Sequence, residues 1–128
     1  MKVLTLKQPY ASLIAAGLKK YEFRSWKTNY RGTILIHAGS GIDKEAMIKY
    51  KSLNLSYPSK RILCSVRIVD CIKLDKSINK KINEENSFIY GNKDREGYAW
   101  KLDNLEVINS SQVINGKLGF WNLDTIKK

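Results

Sequence analysis

The stretch that decides the reading of this chain is Gln8-Pro9-Tyr10-Ala11-Ser12-Leu13-Ile14-Ala15-Ala16-Gly17-Leu18-Lys19-Lys20-Tyr21-Glu22-Phe23-Arg24. Pro9 suits the first position of a helix, where its missing N–H would have no intrahelical partner anyway. Tyr10, Leu13, Ile14 and Gly17 then recur at helical spacing and give one apolar face. Gly17 is suited to end that helix in a left-handed turn. Residues 21–26 follow with the alternation of a strand. Within it Lys20, Glu22 and Arg24 share a face, while Lys19 belongs to the turn and can swing in from the end. The stretch predicts a short helix, a glycine stop and a strand, with Lys19, Glu22 and Arg24 gathered where the helix end meets a sheet.

Working outward, residues 2–7 read as a first strand that feeds the helix, and residues 27–32 as a polar connection ending in Gly32. Residues 33–38 form a β-rich apolar run, and His37 near its end reads as a hydrogen-bonded structural residue. Gly39-Ser40-Gly41 breaks the chain. Ser40 or Asp43 can then cap a second helix carrying Ile42, Ala46, Met47, Tyr50 and Leu53 on one stripe, with Lys44, Lys49 and Lys51 off it. Residues 61–74 make the longest strand candidate. Asp70 interrupts its apolar face, so either a bulge near Val69 reverses the phase or an inward carboxylate needs a partner such as Arg24. The length of the strand favours the bulge.

Residues 75–97 are polar and read as an irregular connection, either a mobile lid or an exposed excursion, with residues 87–90 as a short anchor. Residues 98–107 return to strand. Asn115-Gly116 predicts a tight turn joining residues 112–114 to 117–123 in a last hairpin. Strands both precede and follow the helices, which is not the alternation of a parallel sheet. The expected architecture is α+β: a small, mostly antiparallel β-barrel with two or more flanking helices, in one domain over residues 1–128.

The totals narrow the partners. The 128 residues carry 23 Lys and Arg against 12 Asp and Glu, a formal net charge of +11. Such an excess draws polyanions, nucleic acid first among them, although a lysine-rich proteome would raise the same total. No apolar run approaches the roughly 18–20 residues that cross a bilayer, and residues 1–4 do not open a secretory signal. No membrane association and a cytoplasmic address are the expectation. Cys64 and Cys71, seven residues apart on one strand, would lie roughly 23 Å apart at about 3.3 Å per residue, too far for a disulfide. With one histidine in the chain, no metal site is expected, and no cofactor either.

Lys19, Glu22 and Arg24 bring a cation, a carboxylate and a planar guanidinium within six residues. Arginine presents paired donors to a phosphate or a base edge, a glutamate accepts from an amino group, and Tyr10 or Trp26 can stack on a base. The same spacing also suits a plain ion-pair ladder on a strand.

Gly17-x-Lys19-x-x-Glu22-x-Arg24 resembles the signature of the ASCH domain family, a branch of the PUA-like superfamily. The flanking Gln8-Pro9-Tyr10-Ala11-Ser12-Leu13, Arg24-Ser25-Trp26, Tyr30-Arg31-Gly32 and Ile34-Leu35-Ile36-His37-Ala38 follow in the family's order. Trp100 and Gly116-Lys117-Leu118-Gly119-Phe120-Trp121 resemble its closing strands. The resemblance implies a PUA-like barrel with a cleft between the barrel and the first helix. It also implies binding of RNA, single-stranded nucleic acid or a modified nucleoside there, with protein partners unspecified. On the matching positions, Lys19, Glu22 and Arg24 would line the cleft, with Gln8, Tyr10, Ser12, Ser25 and Trp26 beside them. Some relatives are small hydrolases, acting on acetylated cytidine or on RNA. If this chain is one of them, Lys19 is the candidate catalytic residue. It departs from the amidohydrolase pattern at Glu22, where a threonine is expected, and on the long strand, where Arg67 and Asp70 stand in place of a glutamate.

Overall fold

The computed structural model describes residues 1–126. Strand β1 (Lys2–Gln8) leads into helix α1 (Tyr10–Ala15), and β2 (Tyr21–Arg24) and β3 (Gly32–Ile42) follow. Helix α2 (Lys44–Lys49) continues into a 3-10 turn at Lys51–Leu53, before the long strand β4 (Arg61–Lys73). Helices α3 (Lys76–Glu85) and α4 (Ser87–Tyr90) precede β5 (Tyr98–Val107) and the short β6 (Phe120–Asn122). Among the described residues no helix is long and apolar enough to cross a membrane.

The six strands form one mixed sheet in the order β2-β5-β4-β3-β1-β6. Strands β1 and β3 run parallel; the other pairs among the described residues are antiparallel. The expected barrel is therefore corrected to an open sheet, whose edge strands β2 and β6 are not hydrogen-bonded to each other among the described residues. Side chains span the gap instead. The ring of Trp26, just after β2, lies edge-on to Phe120 of β6 with centroids 5.6 Å apart and to Trp100 at 4.6 Å. Arg24 Nη2 reaches the Thr5 carbonyl of β1 at 3.4 Å. These contacts require the sheet to curl.

The main core lies inside that curl, where Leu4, Leu6, Ile34, Ile36, Val66, Ile68, Trp100 and Leu102 meet Ala11 and Ile14 of α1. A second core joins Leu13 and Tyr21 to Ala46, Tyr50, Ile82, Ile89, Tyr90 and Ala99. It is this second core that seats α2, α3 and α4 beside the strand bearing Glu22.

The local readings around α1 hold, with one shift. Pro9 occupies the cap position, not the first helical turn, and the Gln8 side chain does the capping by accepting from the Ser12 amide at 3.0 Å. Gly17, at φ +77°, closes the helix, with the Leu18 and Lys19 amides both directed at the Leu13 carbonyl. A side chain there would strain that left-handed turn. Asp43 caps α2 through the Ala46 amide at 3.1 Å.

Three expectations are corrected here, and the bulge in the long strand is borne out. Gly39-Ser40-Gly41 does not break the chain but extends β3 to Ile42, which pairs with Gln8 across a register shift. The register of β4 also shifts between Ile68 and Asp70, the bulge expected at Val69. Asp70 is exposed, accepts from the Cys71 amide at 2.8 Å, and has no part in an Arg24 pair. The 75–97 segment is not irregular: Asp75 caps α3 through the Ile78 amide at 2.8 Å, and Ile82, Ile89 and Tyr90 enter the second core. Its ends meet, since the Leu74 amide donates to the Gly97 carbonyl at 2.9 Å. Residues 112–114 do not form a hairpin with 117–123. The Ile114 amide bonds to the Lys60 carbonyl instead, and β6 takes the free edge of β1. Cys64 and Cys71 are unpaired thiols.

Candidate nucleic-acid interface

A cleft of about 980 Å³ opens between β1, α1 and β2 on one side and α2, α4 and the 93–95 turn on the other. The far ends of β3 and the 116–119 loop complete its rim. Its lining carries seven cations, Lys7, Lys19, Arg24, Lys49, Lys93, Arg95 and Lys117, against three carboxylates, Glu22, Asp43 and Glu45. That imbalance makes the cleft a basin of positive potential.

The Gly17 turn delivers Lys19 to the floor of the cleft, where it is only 6% exposed. Its ammonium donates to the Tyr21 carbonyl and to Glu22 Oε1 at 3.2 Å. Glu22 Oε2 takes Arg24 Nε at 3.0 Å, so one buried carboxylate holds two cations. Glu22 and Arg24 are two residues apart on β2 and therefore share a face, as their spacing requires. Burial pulls the Lys19 ammonium below the ordinary lysine range against the opposing pull of Glu22, and the like charges of Arg95 and Arg24 add to the fall.

The 93–95 turn on the other side of the cleft is held by α3. Asn79 and Asn83, one turn apart, are buried and point their amides at the 93–95 turn. Asn79 Nδ2 donates to the Arg95 carbonyl at 2.9 Å, and Asn83 Nδ2 to the Lys93 carbonyl at 2.9 Å. Their Oδ1 atoms accept from Arg95 Nη1 at 3.2 and 3.0 Å. Arg95 Nη2 donates to the Tyr90 carbonyl at 2.5 Å, and the guanidinium carbon lies 4.1 Å from the Phe23 ring centroid, a cation–π contact. Lys19 Nζ is 5.1 Å from the same ring. Burial lowers the affinity of Arg95 for its proton.

Of the residues singled out in the sequence, Tyr10, Lys19, Glu22 and Arg24 line the cleft together. The Tyr10 hydroxyl donates to Asp43 Oδ2 at 2.5 Å, which holds Asp43 below the usual carboxylate range and, after burial, adds to the rise of Tyr10. Gln8, Ser12, Ser25 and Trp26 do not line it. Gln8 Nε2 donates to Ser12 Oγ and to the Pro58 carbonyl, both at 2.9 Å, and Ser12 Oγ donates to the Ser56 carbonyl at 2.8 Å. These two pin α1 to the 56–58 loop behind the cleft. Ser25 is exposed, and Trp26 packs on the aromatic pair across the sheet opening. The sequence reading missed Phe23, Arg95, Lys93, Lys7, Lys117 and the Asp43–Tyr10 bond, and it set Lys49 on a solvated helix face in preference to a nucleic-acid surface. The available signal for Arg95 was Asp75 as a helix cap followed by Ile78, Asn79, Ile82 and Asn83 on one face.

A curled mixed sheet with a basic cleft beside the first helix defines a domain of the PUA-like kind. The family model of the ASCH domain matches residues 4–113, and the chain belongs to that family. It is similar to activating signal cointegrator 1 of Mus musculus and of Homo sapiens, at 28% identity over 134 residues in each case. Those matches cover 95% of this chain and 22% of each relative, so the chain spans about a fifth of their length. Among solved structures it is similar to a point mutant of the ZmASCH protein from Zymomonas mobilis, with a TM-score of 0.52 and 17% identity. That match covers 89% of this chain and 74% of the other, and it shows the shared fold.

Proposed function

We propose that this chain is a nucleic-acid-binding module whose basic cleft receives RNA or a modified nucleotide. The observation that carries the reading is the cleft itself: seven cations against three carboxylates, with Glu22 already engaged by Lys19 and Arg24. The net charge of +11 and membership of the ASCH family support it. Arg24 offers its remaining N–H donors to the ligand, Lys19 adds charge from the floor, and Glu22 is the acceptor for an amino group. Fluorescence-anisotropy titration of short RNA and DNA, single- and double-stranded, tests the reading. Saturable RNA binding is expected, weakening by about 0.7 logarithmic units per neutralised phosphate for each tenfold rise in salt. Affinity independent of salt, or capture of a protein partner with no nucleic acid bound, would end it.

A second reading draws on one specific observation, the buried Lys19, which burial pulls below the ordinary lysine range, the direction of shift that favours a general base or nucleophile. In that reading the chain is a nucleotide-directed hydrolase acting through Lys19. Arg67 and Asp70, the alternatives to the missing glutamate, lie outside the cleft lining, which favours binding over amide hydrolysis. RNA shortened on a gel, or turnover of an acylated nucleoside that is lost in Lys19→Ala, would move this reading to first place.

A further inference from the structure

We propose that Arg95 is the phosphate reader of the cleft, so that the ligand is a nucleotide held through its phosphate and a neutral nucleoside binds poorly. The proposal deepens the nucleic-acid reading above and rests on it.

The placement of Arg95 differs from that of the other cations on the cleft floor. Lys19 and Arg24 share Glu22, whereas among the described residues no carboxylate lies within 4.0 Å of Arg95. Its protein partners are all neutral: the Asn79 and Asn83 amide oxygens, the Tyr90 carbonyl and the Phe23 ring. Those three hydrogen bonds use at most three of the five N–H donors of a guanidinium, so at least two remain for a ligand. Neutral acceptors orient the fork without cancelling its charge. A half-buried cation with its charge intact attracts an anion more strongly than a solvated one, because less solvent screens it.

The neighbours reinforce this. Lys19 feels the like charges of both Arg95 and Arg24, and Glu22 is the carboxylate that Lys19 and Arg24 share. An arriving phosphate offsets the like charge that Lys19 feels. The fixed planar fork suits phosphate oxygens better than a rotating ammonium does. The cleft is also far larger than an inorganic phosphate requires, at about 980 Å³, and falls in the range of small-molecule sites. Tyr10, Phe23 and Glu22 line the space left for the rest of the nucleotide.

The test is calorimetric titration of the full chain with the common ribonucleosides, their monophosphates and inorganic phosphate, together with RNA anisotropy on Arg95→Gln and Arg95→Lys. In the wild type the monophosphate is expected to bind about tenfold to a hundredfold more tightly than its nucleoside, the scale of hydrogen bonds to a charged group. Inorganic phosphate alone is expected to compete weakly. Arg95→Gln should remove most of the preference for the monophosphate and lower the RNA salt slope by about 0.7; Arg95→Lys should retain more of it. The comparison of nucleoside with monophosphate needs no variant and so survives any misfolding of Arg95→Gln. Equal wild-type affinities overturn the proposal, as does a folded Arg95→Gln that keeps the preference while RNA still binds. Inorganic phosphate competing as well as the monophosphate overturns the nucleotide assignment. A wild type that binds neither RNA nor nucleotide removes the functional reading itself.

Discussion

Two buried polar networks adjoin Thr5 of β1, and they are built on opposite terms. Around His37 every donor has a neutral acceptor. Trp121 Nε1 donates to Thr5 Oγ1 at 3.0 Å, Thr5 faces His37 Nδ1 at 3.1 Å, and His37 Nε2 meets the Ile114 carbonyl at 2.7 Å. Since a carbonyl only accepts, Nε2 carries the ring proton and Nδ1 receives the Thr5 hydroxyl. The relay is closed and ties β1, β3, β6 and the 114 turn together. The cluster of Lys19, Glu22, Arg24 and Arg95 is left with surplus charge and surplus donors. A closed network stabilises one conformation, and an unbalanced one facing a cleft is poised for a ligand. Burial alone does not mark a binding residue; what matters is what remains unsatisfied.

The sharpest way to break this comparison is Glu22→Gln, which strands Lys19 and Arg24 without their shared carboxylate. A loss of about 3 kcal/mol is expected in urea unfolding, as for a broken buried ion pair, together with a change in RNA affinity. A loss below about 1 kcal/mol would show that Glu22 does not hold the floor of the cleft. Thr5→Val comes next. It keeps the shape but leaves His37 Nδ1 and Trp121 Nε1 without partners, at a cost of about 2 kcal/mol. Thr5 also lines the cleft and its carbonyl takes Arg24, so RNA affinity at fixed salt should fall by less than in Glu22→Gln, and an equal fall would mean that the two networks act as one.

A smaller effect separates the networks by pH. Burial lowers the proton affinity of His37, which has no exposed surface. A histidine with a depressed folded pKa contributes stability above its unfolded value of about 6.5 and loses that contribution as pH falls towards the folded one. Melting temperature should therefore drop on acidification from neutral pH, and His37→Gln should flatten that part of the profile. An unchanged slope in the variant would assign the acid sensitivity to other groups. The smallest change is expected from Ser12→Ala, about 1 kcal/mol of stability with RNA affinity intact, since Ser12 anchors α1 from behind the cleft.

The half of the site made by Gly17, Lys19, Glu22 and Arg24 was legible because it is local. A glycine stop and a period of two bring those side chains together whatever the rest of the chain does. The half made by Arg95 was not, for a physical reason. The face of α3 that packs against the turn carries Asn79 and Asn83, so its helical period is written in amides and escapes a search for apolar stripes. Gly39–Gly41 misled in the other direction. Glycines that read as a break lie in β3, whose pairing with β1 is long-range information. Asn115-Gly116 likewise formed no hairpin, because the Lys60 carbonyl and the free edge of β1 offered better partners to its two flanks. The bulge in β4 was legible because a strand of that length with one misplaced aspartate leaves few other solutions.

The bond from the Leu74 amide to the Gly97 carbonyl, 2.9 Å long, has a consequence for how such a protein can change. Residues 75–96 leave the sheet and return to it at a single clasp, and within that detour lie α3, α4 and the arginine they hold. The detour is thus an attachment whose Ile82, Ile89 and Tyr90 complete the second core. Another segment closed by the same clasp would alter which chemical group the cleft prefers, provided it still filled the core around Tyr21 and met the Lys20 amide as Tyr90 does.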